Sequence, residues 1–487
     1  MRKHYDRQRR FDATPIGELM LNSNCRDEMI PILAGLQYVY STASLRNKVV
    51  KLVAADINEN TRRDIGRRGL DDWQIVVLAG VRLGCDDDYD KMQDLAENHR
   101  ALRTMLGLGD WENGPSFDWR RIRDTLCRLK PSTIEAINQA IVGHGQELDG
   151  EAAARVRADS FVVETDIHYP TESSLIGDGM RKIIPLSVKL AAELGSTIWR
   201  QHKNEFKKIE NLIRHIAKIS SSKSPKAKAQ LKAAYKRLLQ RAEKYLNRTK
   251  DLQKEAEVAP FSLELSSLSA ELDHWITLTT QVCSTAFRRV ILGEQVPNSE
   301  KLFSLFEPHT QLYRRGKAKE PNQFGRLVLV FEDGAGFISH YHLMDREATD
   351  ADVILEQTRE AQKKHNGQIK SASFDRGFYS AENETQLKGI IEQPCLPPRD
   401  PTQFAKRMAE ASIDFHRQRQ HHPGIESAIG ALQAGNGLKR CRDHTEIGFE
   451  RYLGLAILGR NIHTLGKLLI ARRQAQAAAA ISKRKAA

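Results

Sequence analysis

The chain has 487 residues, with 75 Lys and Arg against 62 Asp and Glu, giving a formal net charge of +13. That length exceeds one ordinary core, so two to four domains are expected. The charge favours an anionic partner, nucleic acid first and an acidic membrane surface second. No run of about 18 apolar residues occurs, so no membrane-spanning helix is expected. The basic segment 1–10 is followed by no apolar stretch and does not read as a secretory signal. The six cysteines (25, 85, 127, 283, 395 and 441) are scattered, which excludes a zinc ribbon or a CxxC redox pair and fits a reducing cytoplasm.

Residues 1–150 read as helical. Asp71 and Asp72 are candidate N-caps for a run carrying Trp73, Ile75, Val76, Val77, Leu78 and Val81. A second helix is predicted after Asp86-Asp87-Asp88, which reads as a solvated turn, and a third over 100–109. Basic residues between these helices (Arg62, Arg63, Arg67, Arg68) suit a DNA-binding or dimerisation domain. The pattern turns strand-like over 156–163 and strongly helical from about 178 to 290. Within that stretch, two amphipathic helices flank a break at 220–225, and their polar faces are rich in Lys and Arg. Residues 325–343 predict a β-hairpin around Asp-Gly-Ala-Gly. A helix over 349–365, a strand ending at Asp375, a helix over 381–387 and a short strand at 389–391 follow. A last long helix is predicted over 446–473, then a low-complexity basic, Ala-rich tail, 471–487, expected to fray.

Three acids stand out. Asp159 lies inside a strand-like run, Asp375 ends another, and Glu426 opens a helix after Pro423-Gly424. Two aspartates on strands and a glutamate on a following helix supply hard oxygen ligands for a pair of Mg²⁺ (or Mn²⁺) ions, the arrangement used for in-line phosphoryl displacement. Asp159 and Asp375 are 216 residues apart, and Asp375 and Glu426 only 51. With the long helical stretch set aside, the order is strand, hairpin, helix, strand, helix, strand, helix, which is a mixed sheet of ribonuclease H-like type. The cluster His416, His421 and His422 has no nearby Cys and is not read as a zinc site. Tyr379 and Tyr452 lack the Arg-His-Arg setting of a tyrosine recombinase.

At these positions the chain resembles the DDE transposases of bacterial insertion sequences. The resemblance rests on 159–175 (Asp-Ser-Phe-Val-Val-Glu-Thr-Asp-Ile-His-Tyr-Pro-Thr-Glu-Ser-Ser-Leu), on 374–380 (Phe-Asp-Arg-Gly-Phe-Tyr-Ser), and on 425–430 (Ile-Glu-Ser-Ala-Ile-Gly) leading into 451–461. Segment 306–317 is also similar. The resemblance covers roughly 151–470 and implies an α/β ribonuclease H-like catalytic domain interrupted by a helical insertion at 178–300, behind a helical N-terminal DNA-binding domain at 1–150. It implies catalytic, metal-holding Asp159, Asp375 and Glu426; by its spacing to Pro170, Asp159 rather than Asp166 takes the first place, and Asp178 reads as an exposed helical residue. The implied activity is Mg²⁺-dependent cleavage at the terminal inverted repeats of a mobile element, followed by joining of the freed 3′-hydroxyl to target DNA. Double-stranded DNA is the implied partner and a homodimer the implied assembly, in a cytoplasmic, nucleoid-associated setting.

Some positions depart from the family pattern. Phe161 stands where many relatives have Thr, and Arg419, His422 and Gln433 stand where relatives often carry Tyr, Arg and Lys. The DNA-contacting residues expected here are therefore Arg376, His422, Gln433, Lys439, Arg440 and Arg442. Two other readings remain: a metal-dependent nuclease of the same fold without strand transfer, and an inactive DNA-binding repressor.

Overall fold

The computed structural model describes residues 12–59, 69–109, 117–222, 224–314 and 321–486, with side chains to 482. Arg62, Arg63, Arg67 and Arg68, the segment 1–10 and residues 315–317 of the family-like block lie outside the described residues. Among the described residues the protein is mostly helical, with a curled mixed sheet. No described helix is long and apolar enough to cross a membrane. The chain divides into two compact units, one of 1–164 with 327–487 and the other of 165–326.

The first unit begins with α1 (Met29–Ser41), α2 (Ala43–Asn58), α3 (Asp72–Gly84), α4 (Tyr89–Asn98), α5 (Arg100–Met105), α6 (Trp119–Leu126) and α7 (Pro131–Leu148). Local chemistry sets their starts. Asp71 closes a capping box with Gln74 at α3, and the Asp88 carboxylate accepts from the Lys91 amide at α4. The acidic run before α4 is not wholly solvated, because Asp87 is buried and paired with Lys91 at 2.6 Å. β1 (Arg155–Thr165) follows.

The second unit holds α8 (Glu172–Glu193), α9 (His202–Ser220), α10 (Pro225–Val258), α11 (Leu263–Ala286) and β2 (Gln311–Tyr313), and β3 (Gln323–Asp333) then leads back into the first. The helices at 202–220 and 225–258 are the two amphipathic segments expected around the 220–225 break. Ser224 caps α10 with Pro225 in its first turn, where a missing N–H is harmless. This unit has its own core, including Ile176, Ile183, Leu190, Leu238, Tyr245 and Leu272. Asp178, expected to be exposed, is buried in α8. Its carboxylate meets His168 Nε2 at 2.7 Å and Arg181 at 3.2 Å, so the helix face inverts the expectation.

The remainder of the first unit is β4 (Ile338–Leu343), α12 (Asp350–Lys364), β5 (Ser371–Phe374), α13 (Ala381–Leu387), β6 (Gln393–Cys395), α14 (Pro401–Glu410), α15 (Ile413–His421), α16 (Gly424–Gly435), β7 (Arg440–Cys441) and α17 (Glu446–Ala486). β3 and β4 form the antiparallel hairpin, β1 lies between β3 and β5, and β6 runs parallel to β5. The short strand expected at 389–391 sits at 393–395 instead. Gly389, Ile390 and Ile391 close a turn onto Gln386 and Leu387 after α13. The tail expected to fray from 471 continues as helix to Ala486.

The segment 1–150, expected to be a separate domain, shares one core with the sheet. Leu33, Val77 and Ile141 belong to the same buried cluster as Phe161 and Val163 of β1, Val328 and Val330 of β3, and Leu455 and Ile462 of α17. Gly35, Gly459 and Gly466 mark where backbones approach too closely for a Cβ. Asn461 fixes the junction: its amide donates to Ile338 O (2.9 Å) and Asn138 Oδ1 (2.7 Å), and its Oδ1 accepts from Ile338 N (2.8 Å). A fully satisfied buried amide of this kind specifies one packing.

Candidate active site

The site begins with strand register. β1 and β5 are parallel, pairing Arg155 with Ser371, Val156 with Ala372, Arg157 with Ser373 and Ala158 with Phe374. The pairing ends there, immediately before Asp159 and Asp375. Asp375 has φ −80° and ψ 167°, so strand geometry extends to it before Arg376–Phe378 turn away as a 3-10 helix. Successive side chains alternate between faces. Arg157 and Asp159, with Ser373 and Asp375, therefore project from the same side of the sheet.

The junction of α15 and α16 docks on that side. Arg157 Nη1 donates to His421 O at 2.9 Å, and its Nε pairs with Glu332 at 2.5 Å. Ser373 Oγ and His422 Nδ1 are 3.1 Å apart. A Cβ on Gly424 would overlap the Arg157 guanidinium, so only glycine lets α16 start this close to β1. Ile425, Ala428, Ile429 and Leu432 are buried at helical spacing, which turns the neighbouring Glu426 to the exposed edge. Glu426 lies about 3 Å along the helix from Gly424, and Asp159 about 7 Å along the strand from Arg157.

Asp159 is half-buried and its carboxylate accepts from the Ser160 amide at 2.7 Å; Asp375 and Glu426 are exposed. Carboxylates are the hard anionic oxygen donors that Mg²⁺ prefers. These three are not gathered into a closed shell: among the described residues no three His, Cys, Asp or Glu side chains lie close enough together to hold one ion. Carboxylate oxygens are donors of the kind that suits a hard divalent ion. Asp166 is exposed beyond the end of β1, in the other unit.

Cations brace this face, though not as the sequence suggested. His422, expected to touch phosphate, is buried, and burial together with Arg419 pushes its pKa down to about 4 against the opposing pull of Asp375. It is a neutral packing group under α16. Arg419 donates to Phe374 O at 3.0 Å, tying α15 to the end of β5. The Arg376 guanidinium stacks 4.2 Å over the Phe404 ring, and Arg399 donates to Arg376 O and to Gly377 O (2.7 Å). Gln433, Lys439, Arg440 and Arg442 belong to the other end of α16 and the segment after it. Gln433 is half-buried and Lys439 exposed, while Arg440 pairs with Glu164 at 3.5 Å. Arg442 is engaged by Asp86 and by Tyr452 Oη at 3.1 Å. Tyr452 itself is buried, and His416, His421 and His422 form no metal group.

Sequence reading missed Arg157, Ser373, Gly424 and Arg399. For the first two the signal was present: each sits two residues before a candidate aspartate, on the same strand face. No family model, characterised protein or solved structure matches this chain.

Proposed function

We propose that the protein is a DNA transposase of the DDE type, in which Asp159, Asp375 and Glu426 hold divalent metal at a ribonuclease H-like sheet. The observation that supports this reading is the parallel pairing of β1 with β5 up to Ala158 and Phe374, the residues immediately before Asp159 and Asp375, with the α15–α16 junction docked on the same face. The element order supports it as well: β1, the β3–β4 hairpin, α12, β5, α13 and β6 follow the series expected of that fold once 165–326 is set aside. The bound metal supplies activation of the attacking oxygen and stabilisation of the leaving one. The chain's own groups orient it. Ser160 N fixes the Asp159 carboxylate, Arg157 anchors the helix bearing Glu426, and Arg399 holds the turn after Asp375. Lys and Arg on the surface contribute phosphate affinity that weakens with salt.

The test uses the full chain with the DNA that flanks its own reading frame. Cleavage at flanking inverted repeats and joining of a pre-cleaved 3′ end, both requiring Mg²⁺ or Mn²⁺, are expected. Cleavage without joining would replace the reading with that of a nuclease. Metal-dependent cleavage that survives Asp375→Asn would remove the carboxylates from the mechanism. Binding of Mn²⁺, followed by its electron spin resonance signal, reads the metal site separately and is expected to fall in each of the three carboxylate variants.

A further inference from the structure

Preceding the two aspartates, one face of the sheet carries two rungs, Arg157 beside Ser373 and Arg155 beside Ser371. Both rungs line a cavity of about 260 Å³, closed on one side by the β3–β4 turn and on the other by Arg417 and His421 of α15. Its lining carries three arginines, Arg155, Arg157 and Arg417, against two carboxylates, Glu332 and Asp333. Glu332 is paired with Arg157, and the Asp333 carboxylate is occupied by the Ala335 and Phe337 amides, each at 3.0 Å, and by the Gln146 amide at 3.0 Å. Burial also pushes Asp333 up to about 6. Arg417 has one loose partner, Asp414 at 3.7 Å, and both Arg417 and Arg155 are exposed at the rim. The cavity therefore presents the Arg155 and Arg417 guanidinium groups and the Ser371 hydroxyl, with both lining carboxylates engaged and the Ser373 hydroxyl already paired with His422. Guanidinium forks with hydroxyl donors are the groups that bind phosphate oxygens.

We propose that this cavity is a phosphate subsite, taking a backbone phosphodiester of the nucleic-acid strand that continues from the carboxylates. Arg155 is four residues from Asp159, about 13 Å along the strand, so the phosphate held here belongs to a nucleotide a few positions from the reacting one. The assignment rests on the transposase reading for the identity of the strand. The chemistry of the cavity stands without it.

The experiment separates the two. Inorganic phosphate is titrated calorimetrically into the full chain in metal-free buffer containing a chelator, using wild type, Arg155→Gln/Arg417→Gln, and Lys207→Gln as a control on an exposed cation in the other unit. Binding to the wild type and control, weakened at least about tenfold in the double variant, is expected, since two charge-assisted contacts are lost. A duplex oligonucleotide of arbitrary sequence is then titrated over a salt series, and the double variant is expected to lower the slope of log affinity against log salt by about one to two. Equal phosphate binding in all three proteins, or none in any, overturns the subsite. Weakened phosphate binding with an unchanged duplex slope overturns its assignment to a strand and leaves a free phosphate ion as the ligand. None of these readouts requires cleavage, so an inactive protein that still loses phosphate affinity fails the transposase reading alone.

Discussion

Two sets of acids in this protein show what an acidic side chain is for. Asp178, in the helical unit, is buried and engaged by His168 and Arg181. Asp375 and Glu426, in the sheet-bearing unit, are exposed, and the cations around them bond instead to backbone carbonyls: Arg419 to Phe374, Arg399 to Gly377 and Arg157 to His421. A buried, paired carboxylate stabilises its own neighbourhood. Exposed carboxylates braced indirectly keep their oxygens available to a ligand. The same residue types thus differ in burial and in which partner the surrounding cations choose.

The comparison breaks most sharply at the triad. Asp159→Asn, Asp375→Asn and Glu426→Gln are each expected to lower the rate of DNA cleavage by about a thousandfold, on the order of 4 kcal/mol of transition-state stabilisation. For Asp375 and Glu426, surface positions, thermal stability is expected to stay within about 0.5 kcal/mol of wild type. Loss of folding with activity would place them in the structural class of Asp178. Gly424→Ala comes next. Its Cβ meets a guanidinium already fixed by Glu332 and His421, so overpacking of about 1–3 kcal/mol is expected. Activity is expected to fall more than stability, because the displaced helix carries Glu426; a steady-state assay beside a denaturation curve separates the two.

The Asp178 pair predicts a pH effect of definite sign. Burial works to lower the His168 pKa, but the Asp178 hydrogen bond, the Tyr169 carbonyl and the Asp178 charge outweigh it, and the pKa is raised. Its contribution is full below the unfolded value and is lost as pH rises through the folded one. Melting curves are therefore expected to show the helical unit losing stability upward from about pH 6.5, and Asp178→Asn is expected to flatten that trend. His422 has the opposite sign. Its pKa is depressed to about 4, so the α15–α16 junction is most stable above the ordinary histidine value and weakens as pH falls towards 4. Activity is expected to decline over that acidic range, and His422→Gln to remove part of the decline. Smallest of all, Lys439→Gln is expected to change the salt slope of DNA binding by about one at most, with no change in cleavage rate at saturating DNA.

Much of the local order could be read in advance. The capped starts of α3 and α4, the break between α9 and α10, the hairpin around Asp333-Gly334 and the helix at 381–387 all follow from short-range caps, turn residues and periodicity. Failures cluster where tertiary contacts decide. Asp178 was read as exposed because a helical period shows which residues share a face but not which face is covered. His422 was read as a phosphate contact because it stands where relatives of the resembled family often carry Arg; the hydroxyl that receives it, Ser373, lies 49 residues away in sequence. Arg442 was read as free to meet DNA, while its partner Asp86 belongs to a distant turn.

The sequence by itself determined most of the helix and strand types and the basic net charge, since these depend on composition and on neighbours within a few residues. Tertiary structure alone decided that 1–150 would share the core of the sheet, that Asp178 would be buried, and that Arg157 would fasten β1 to the end of α15. The physical reason is one of range. Caps and periodicity act through adjacent backbone groups, whereas burial, ion pairing and register are settled by whichever distant segment arrives opposite.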